Sequence, residues 1–386
     1  MHTIYLDYAA TSPVRPRVLE KMTRYYTEDF GNPSSFYKVG QNARKAVEEA
    51  RAKVAKAINA NTAEIFFTSG GSEADNWAIK ATSVMNMKKG NHVITTKIEH
   101  PAVLESFEYL ASIGFKVTYL PVDEYGLVDP STFENAITDS TILASVMHAN
   151  NEVGTIQPIK ELAAIAHSRG VIFHTDAVQS VGHIPVDVKE LGVDMLSISA
   201  HKFGGPKGVG TLYIKRGTKT RSFIHGGEQE SGKRAGTENV ASIVGMGEAI
   251  EIAVSELSSE APRLENLRSN LREQITARIP EIKFNGHETK CLPNIVNFSI
   301  KYIEGEGMLI MLDNKNICAS SGSACSSGSL DPSHVLLAMG LIHETAHGSL
   351  RISMGLQTTQ EDIDTLVQEL EQIVERLRAM SPLYNK

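Results

Sequence analysis

The chain has 386 residues, of which 41% are hydrophobic and 22% are charged. This length allows two or three domains with a large buried core, and the composition is that of an ordinary soluble protein. The formal net charge of −7 comes from interleaved acidic and basic residues, which argues against nucleic-acid binding as the main task, and no apolar run is long enough to span a membrane.

Helix-like and strand-like segments alternate from about residue 43 to about residue 250. Residues 43–58 have the apolar spacing of a helix, and residues 73–87 form a second helix-length segment. This rhythm predicts an α/β domain around a mostly parallel sheet, with ligands bound beyond the carboxyl ends of the strands. The strand-like runs lie at residues 64–68, 92–96, 116–120, 142–147 and 171–173.

Two candidate ligand-binding features follow the first strands of this domain. The glycine turn at residues 69–72 connects a strand to a helix, and backbone N–H groups at a helix N-terminus suit a phosphate. A glycine turn alone is a weak signal. His100 follows the next strand at the same edge, where an imidazole could stack on a cofactor ring, although a single histidine is more often an ordinary loop residue.

A carboxylate and a lysine end two later strand-like runs. Residues 171–176 end in Asp176, which Gln179 follows closely, and Lys202 stands between an apolar run and a glycine-rich turn. An enzyme that uses pyridoxal phosphate (PLP) needs an amine to hold the cofactor as a Schiff base and a carboxylate to keep the pyridine nitrogen protonated. Lys202 and Asp176 together predict a PLP site, although either residue alone would be a surface lysine or a helix cap.

The character of the sequence changes beyond about residue 255. A helical stretch at residues 262–277 leads to residues 294–300, which alternate like an antiparallel strand, and the chain closes with an amphipathic helix. We therefore predict a large α/β domain over residues 15–255 and a smaller α+β domain formed by residues 1–14 and 256–386.

The chain contains three cysteines, which is too few for a disulfide framework and fits a reducing cytoplasm. Cys325 lies in a run of serine, glycine and alanine residues, which favours an exposed and mobile loop from which a thiol can reach a substrate. The thiolate is the reactive form, so we expect its surroundings to favour some deprotonation near neutral pH. We expect Cys291 and Cys318 to be structural.

Residues 343–347 read His-Glu-Thr-Ala-His, which matches a motif of zinc proteases. That chemistry needs both histidines on a single helix and a third protein ligand. Gly348 follows at once, and residues 349–353 resemble a strand leading out. We interpret the match as a coincidence and predict no metal site.

Ten short motifs are spread over most of the chain. They begin at residues 6, 31, 68, 99, 150, 174, 199, 234, 321 and 349 and read LDYAAT, GNPSS, TSGGSE, EHP, NNEVG, HTDAVQ, SAHK, RAGT, SGSAC and SLRIS. In this order they resemble the cysteine desulfurases, which are class-V aminotransferase-like PLP enzymes of fold type I. The serine-rich segment around Cys325 resembles group I of these enzymes, the NifS/IscS type.

The resemblance implies a fold and a site. The fold would be a mostly parallel mixed sheet flanked by helices, with a smaller α+β domain. Lys202 would hold the cofactor and act as base and acid at the substrate carbon, Cys325 would take the sulfur, and His100 would lie over the ring. Asp176 would pair with the ring nitrogen and Gln179 with the phenolic oxygen. The other implied contacts are Gly71, Ser72, Ser199 and His201 to the phosphate, Thr237 to the phosphate of a second subunit, Asn151 to the cofactor, and Asn32, Asn151 and Arg351 to the substrate.

The function that the resemblance implies is conversion of L-cysteine to L-alanine, with the sulfur held as a persulfide on Cys325. The persulfide would supply a protein acceptor for iron–sulfur cluster assembly or for thiolation of tRNA or DNA. A homodimer in the cytoplasm is implied, with no direct contact to nucleic acid or membrane. Ser72 stands where many relatives have threonine, and its hydroxyl is retained. The alternatives are a selenocysteine lyase, another class-V PLP enzyme, or a sulfur-relay scaffold without catalysis.

Overall fold

A sheet of seven strands forms the centre of the larger part of the structure. The computed structural model describes residues 3–321, 331–382 and 384. The first strand of the chain, β1 (Ile4–Tyr5), lies outside this sheet. The seven strands are β2 (Ile65–Thr68), β3 (His92–Thr96), β4 (Lys116–Leu120), β5 (Thr141–Ser145), β6 (Ile172–Asp176), β7 (Met195–Ser199) and β8 (Gly210–Ile214).

The strands lie side by side in the order β2-β8-β7-β6-β5-β3-β4. Strand β8 is antiparallel to both of its neighbours, and the other four pairs are parallel. The predicted mostly parallel sheet is confirmed. The helices of this part are α1 (Pro16–Thr27), α2 (Lys38–Ala57), α3 (Gly71–Asn76), α4 (Thr82–Asn86), α5 (Pro101–Ser112), α6 (Pro130–Ala136), α7 (Ile159–Ser168) and α8 (Val188–Leu191), with a π-helical turn, Trp77–Ala81, joining α3 to α4.

Successive residues of the central strands pack into two different hydrophobic cores. Val93 and Leu143 belong to a core shared with α3 and α5, whereas their neighbours Ile94 and Ala144 belong to a core shared with α2 and α7. Side chains alternate between the two faces of a sheet, so both faces are covered by helices. Burial on both faces explains why these strands appear in the sequence as continuous apolar runs.

A second, smaller sheet is formed by the C-terminal part of the chain. Its strands are antiparallel in the order β12-β10-β9, and β11 pairs in parallel with β1. The alternation at residues 294–300 predicted β10 correctly. The elements are α9 (Val240–Arg278), β9 (Ile282–Asn285), β10 (Ile295–Ile300), α10 (Gly305–Asp313), β11 (Ile317–Cys318), α11 (His334–Ala338), α12 (His343–His347), β12 (Ser349–Ser353) and α13 (Gln360–Met380).

Helix α9 has 39 residues and continues through residue 255, where the sequence predicts a domain boundary. It begins well before Pro262, the predicted start of a helix. A proline inside a helix leaves one carbonyl oxygen without its N–H partner. Pro262 and Ser258, the residue four positions earlier, are both exposed, so water can bind that oxygen. The hydrophobic core of the C-terminal part includes Leu6, and the division into two domains stays a prediction.

The candidate site lies at the carboxyl ends of the parallel strands. Asp176 ends β6 and pairs in register with Ser197 of β7, and Lys202 follows β7 by three residues. Neighbouring parallel strands end at the same edge of a sheet, so these two side chains meet there. No helix within residues 3–321 and 331–382 is both long and apolar enough to cross a membrane.

Candidate active site

A cavity of about 260 Å³ lies at this edge of the sheet, next to the carboxyl ends of β6 and β7 and the start of α3. The chain segment after β1 contributes Ala9 and Ala10 to its wall. The structure therefore brings together most of the residues that the sequence predicts for the site. The predicted residues that line the cavity are Gly71, Ser72, His100, Asn151, Asp176, Gln179, Ser199, His201 and Lys202.

The amine of Lys202 is fixed by the segment after β1. Its Nζ donates hydrogen bonds to the carbonyl oxygens of Ala9 (2.6 Å) and Ala10 (2.8 Å). The segment itself is anchored, because the N–H and the hydroxyl of Ser12 both donate to the carbonyl oxygen of His201, at 2.9 and 2.7 Å. The amine thus has a defined position in the cavity, as a covalent anchor for an aldehyde requires.

Asp176 presents a buried carboxyl group to the same cavity. The residue is 6% exposed, and its Oδ1 accepts the N–H of Val178 at 2.9 Å. Burial raises the pKa of this carboxyl, while the N–H of Val178 and the charge of Lys202 oppose the rise. A carboxylate at this depth is stabilised by a cationic partner, and the protonated ring nitrogen of PLP is such a partner.

His100 is the N-cap of α5. Its Nδ1 accepts the N–H of Ala102 at 3.1 Å, so the proton of the neutral ring is carried by Nε2. Burial lowers the pKa of His100, and Lys202 acts in the same direction. The ring therefore enters the cavity as a neutral imidazole, which suits stacking on a flat conjugated ring.

One end of the cavity is suited to a phosphate. Gly71 and Ser72 begin the helical run at residues 71–86, and the first N–H groups of a helix have no acceptor within it. A β-carbon at Gly71 would lie only 2.8 Å from Cγ2 of Val178 and 3.6 Å from Cβ of Ser199, so a side chain there would occupy space beside the helix start. Free N–H groups, hydroxyls and an open glycine form an anion site.

Two further predicted residues are held in place around this site. Nδ1 of His201 lies 3.1 Å from Oγ1 of Thr11, and burial lowers the pKa of His201 to about 4. The side-chain amide of Gln179 donates to the carbonyl oxygen of Ala9 at 3.0 Å. With an amine, a buried carboxyl and an anion site around one cavity, the residues present fit PLP.

Asp75 is a buried carboxyl group beside Asp176 that the sequence analysis did not assign to the site. It is 1% exposed, lines the cavity, and its Oδ1 lies 3.7 Å from Nε2 of His174. His174 is bound by the hydroxyls of Ser145 (2.8 Å) and Ser197 (3.0 Å), and burial lowers its pKa to about 3, so it is neutral.

Burial, and then the charge of Asp176, raise the pKa of Asp75 well above its usual range. Of the two neighbouring carboxyl groups, Asp75 is therefore the one that stays protonated, and Asp176 carries the negative charge. In the sequence, only the position of Asp75, one helical turn after the glycine turn, could have indicated that it belongs to the site.

Arg351 connects the cavity to the segment after β1. It lies in β12 and is 1% exposed. Its Nη1 donates to the carbonyl oxygen of Asn151 at 3.0 Å, and its Nη2 donates to Oδ1 of Asp7 at 2.8 Å. Asp7, quoted in the sequence analysis only as part of a motif, is thus the counter-ion of the predicted substrate-binding arginine.

Three predicted residues of the described chain lie outside the lining of this cavity, namely Arg351, Asn32 and Thr237. Asn32 is exposed, and its side chain accepts the N–H of Ser34 at 2.9 Å. Thr237 is exposed in the loop before α9. Cys325, the predicted sulfur carrier, lies outside the described residues.

The other two cysteines are partly exposed thiols. Cys318 is in β11, and Cys291 accepts a hydrogen bond from Arg268. Burial raises the pKa of both thiols, which disfavours the reactive thiolate form.

The His-Glu-x-x-His match occupies α12, a helix of only five residues. The ring centroids of His343 and His347 are 5.7 Å apart. Within the part of the chain that the structure describes, no group of three or more histidine, cysteine or acidic side chains is arranged to hold a metal ion.

Comparison with known proteins agrees with the fold. The family described as aminotransferase class-V matches residues 4–366. The cysteine desulfurase IscS of Clostridium botulinum (strain Hall) is 58% identical over 383 residues, which cover 99% of this chain and 96% of that protein. A solved NifS-like protein superposes with a TM-score of 0.92 at 41% identity, over 97% of this chain and 100% of that one.

A second solved structure, SspA in complex with cysteine, gives a TM-score of 0.81 at 36% identity, over 91% of this chain and 99% of that one. The predicted α/β fold with its smaller α+β part is confirmed by these neighbours. The chain belongs to the aminotransferase class-V family, and within it to the PLP-dependent cysteine desulfurases of the NifS/IscS type.

Proposed function

We propose that this enzyme converts L-cysteine to L-alanine and leaves the sulfur as a persulfide on Cys325. The observation that carries the proposal is that Lys202, Asp176 and His100 meet in one cavity of a chain that belongs to the cysteine desulfurases. The complex of SspA with cysteine supports the same amino acid as the substrate here.

The cofactor would be held by the residues that surround the cavity. Lys202 would bind it covalently, Asp176 would contact its ring nitrogen, and His100 would stack on its ring. When bound, PLP supplies a conjugated ring that accepts the electron pair released at the α-carbon of the substrate. The remaining proposed contacts are Gly71, Ser72, Ser199 and His201 to the phosphate, Gln179 to the phenolic oxygen, and Asn151 to the cofactor.

Lys202 moves protons at the substrate. Once its amine is free, Nζ accepts the proton of the α-carbon and later returns a proton to the carbon skeleton. A general base must lie within hydrogen-bonding distance of the proton that it takes. The carbonyl oxygens of Ala9 and Ala10, at 2.6 and 2.8 Å, keep Nζ at one place in the cavity between these two tasks.

Cys325 takes the sulfur. Its thiolate attacks the sulfur atom of the substrate, so that a sulfur–sulfur bond forms and the carbon–sulfur bond breaks. The electron pair of the broken bond stays with the carbon, which is protonated as alanine forms. The persulfide then supplies a protein acceptor, for iron–sulfur cluster assembly or for thiolation of tRNA or DNA. We propose a cytoplasmic location from the low cysteine count.

Arg351, Asn151 and Asn32 would receive the carboxylate of the substrate. The guanidinium of Arg351 already binds Asp7 at 2.8 Å, so the substrate carboxylate would share it with that side chain. A planar guanidinium has five N–H donors, which is enough for two carboxylates. Specificity for an amino acid follows from this fixed positive charge beside the cavity.

We further propose a homodimer whose subunits share their active sites. Thr237 is exposed and lies outside the cavity of its own chain. Arg234 of the same loop donates two hydrogen bonds to Glu73, at 2.8 and 3.0 Å, close to the start of α3. Phe30 and Phe36 are 69% and 89% exposed, and a dimer interface would give these apolar side chains a place to be buried.

The sulfur-transfer step can be tested with Cys325→Ser and, as a matched control, Cys318→Ser. Addition of cysteine should change the cofactor absorbance of both variants, since neither residue is among the proposed cofactor contacts. Cys325→Ser should form no persulfide and almost no alanine, whereas Cys318→Ser should form both. Loss of the persulfide in Cys318→Ser alone would show that the wrong cysteine was chosen. A reductant should restore the thiol of the wild type, because a persulfide is reversible.

A further inference from the structure

The turn that carries Asn151 continues into Glu152, a buried carboxyl group. Glu152 is 4% exposed. Its N–H donates to Oδ1 of Asn150 at 2.9 Å, and its carbonyl oxygen accepts Nδ2 of Asn297 from β10 at 3.1 Å. The backbone of Glu152 is therefore fixed on both sides, and its side chain leaves the turn from a defined point.

The side chain of Glu152 binds Ser333. Oγ of Ser333 donates to Oε2 of Glu152 and accepts the N–H groups of Val335 (3.1 Å) and Leu336 (3.3 Å), as the N-cap of α11. A serine hydroxyl can donate one hydrogen bond, and that of Ser333 is donated to the carboxyl group of Glu152. Burial raises the pKa of Glu152 to about 7, and the bond from Ser333 and the charge of Arg351 oppose that rise.

A second link connects Ser320 to Arg351. The N–H of Ser320 donates to the carbonyl oxygen of Arg351 at 3.2 Å, and the N–H of Arg351 donates back to Ser320 at 2.6 Å. The guanidinium of the same arginine donates to the carbonyl oxygen of Asn151 at 3.0 Å. Residues 320 and 333 are thus both tied to the turn at Asn151 and Glu152, one through an arginine and the other directly.

These two links stand on either side of Cys325 in the sequence. The cysteine is five residues after Ser320 and eight residues before Ser333. The segment that carries the thiol therefore starts and ends at residues that these links hold against the turn at Asn151 and Glu152. Movement of either link would move one end of that segment relative to the substrate.

We propose that Glu152 is a positioning residue for sulfur transfer. Through Ser333 it fixes one end of the Cys325 segment against the turn that lines the cavity, while Arg351 and Ser320 fix the other end. The inference rests on the proposed function, since it assigns the reacting thiol to Cys325. Glu152 and Ser333 hold the segment that carries the thiol and are not among the proposed substrate contacts, so the loss of this link should slow persulfide formation more than substrate binding.

The test uses Ser333→Ala and Ser333→Thr in the PLP-loaded enzyme. Alanine removes the hydroxyl, whereas threonine keeps it. Ser333→Ala also removes a helix cap, so the matched control is Asp129→Ala, which removes the N-cap of α6, a helix that contributes no residue to the cavity lining. The measurements are kcat and KM for alanine formation, persulfide on Cys325 by mass spectrometry after one turnover, and the change in cofactor absorbance on addition of cysteine.

Ser333→Ala should lower kcat and the rate of persulfide formation by roughly tenfold, with KM within about twofold and the absorbance change unaltered. Ser333→Thr and Asp129→Ala should behave like the wild type. Glu152→Ala should lower kcat at least as much, and Glu152→Gln, which keeps an acceptor oxygen, should recover most of the rate.

An unchanged kcat in Ser333→Ala, or a fall matched by Asp129→Ala, would overturn the positioning role. A rate that falls only in proportion to lost cofactor would do the same. If the wild type itself forms no persulfide on Cys325, it is the proposed function that fails, and this outcome is separate because it appears before any substitution at residue 152 or 333.

Discussion

Glu230→Gln should destabilise the protein through the loss of one buried ion pair. Arg51 binds the carboxylate of Glu230 with two hydrogen bonds, at 2.7 and 2.8 Å, and the N–H of Phe67 donates to the same carboxylate at 2.8 Å. The side chains of the pair are only 11% and 3% exposed. Removing one partner of a buried pair costs about 3–5 kcal/mol when the remaining charge is left without compensation. Glu48 lies 3.2 Å from Arg51 but is 58% exposed, so it compensates the charge of Arg51 only in part.

That loss corresponds to a decrease of about 4–6 °C in melting temperature. An entropy of unfolding of ~2.1 cal/mol/K per residue gives roughly 0.8 kcal/mol/K for a chain of this length. Arg51→Met combined with Glu230→Gln removes both charges and keeps an acceptor for the N–H of Phe67, so it should be more stable than Glu230→Gln alone. Asp29→Asn, which breaks the exposed pair with Arg24, should change the melting temperature by less than about 1 °C.

Thermal unfolding followed by circular dichroism on all three variants, at one protein concentration and with excess PLP, decides the matter. If Glu230→Gln melts within about 1 °C of the wild type, burial of this pair contributes nothing and the reasoning is refuted. A double variant less stable than Glu230→Gln would show that the pair stabilises by attraction rather than by avoiding an unpaired charge.

Lys202→Ala should bind PLP weakly as the free aldehyde and form no alanine, which absorbance spectra and an alanine assay will show; alanine at a rate near that of the wild type would disprove its role as anchor and base. Thr237→Ala should retain PLP poorly, and mixing it with Lys202→Ala should restore partial activity, because one site of each heterodimer then has both lesions and the other has neither. Absence of rescue in verified heterodimers would mean that Thr237 serves its own subunit. Burial raises the pKa of Glu99 to about 8, so its contribution to stability is complete below the pKa of the unfolded chain and is lost as the pH rises to about 8. Urea unfolding should show a smaller decrease for Glu99→Gln than for the wild type, because the raised pKa values of Asp75 and Glu152 still contribute in the variant; equal slopes in the two proteins would contradict the assignment.

The strand ends of the large sheet are predictable because both faces are buried. Apolar runs mark such strands directly, so the positions of Asp176 and Lys202 at one edge follow from the sequence alone. The first residues of helices are harder to predict from the sequence than these strands. Helix α2 begins at Lys38, five residues before the predicted start, and includes Gly40, a poor helix former. A β-carbon at Gly40 would lie 2.6 Å from the carbonyl oxygen of Asn32, so packing requires glycine there.

The counter-ions of the site are not predictable from local pattern. Asp7 and Arg351 are 344 positions apart, and nothing near either residue indicates the other. Asp75 is an ordinary acidic residue one helical turn after the glycine turn, and only the fold of the sheet brings Asp176 beside it. Such pairs depend on the complete topology, whereas the lysine and the carboxylate that end neighbouring strands depend only on strand order.

The segment after β1 has a consequence for the order in which the enzyme matures during synthesis. Lys202, which binds the carbonyl oxygens of Ala9 and Ala10, is synthesised about 190 residues after them. Arg351, the partner of Asp7, is synthesised 344 residues after it. Contacts between distant parts of a chain form late, after the entropy of closing the loop between them has been lost. A nascent chain that has emerged to residue 300 therefore lacks the arginine that binds both Asp7 and the carbonyl oxygen of Asn151. If Arg351 receives the substrate carboxylate as we propose, competence to bind substrate arrives only after β12 has left the ribosome.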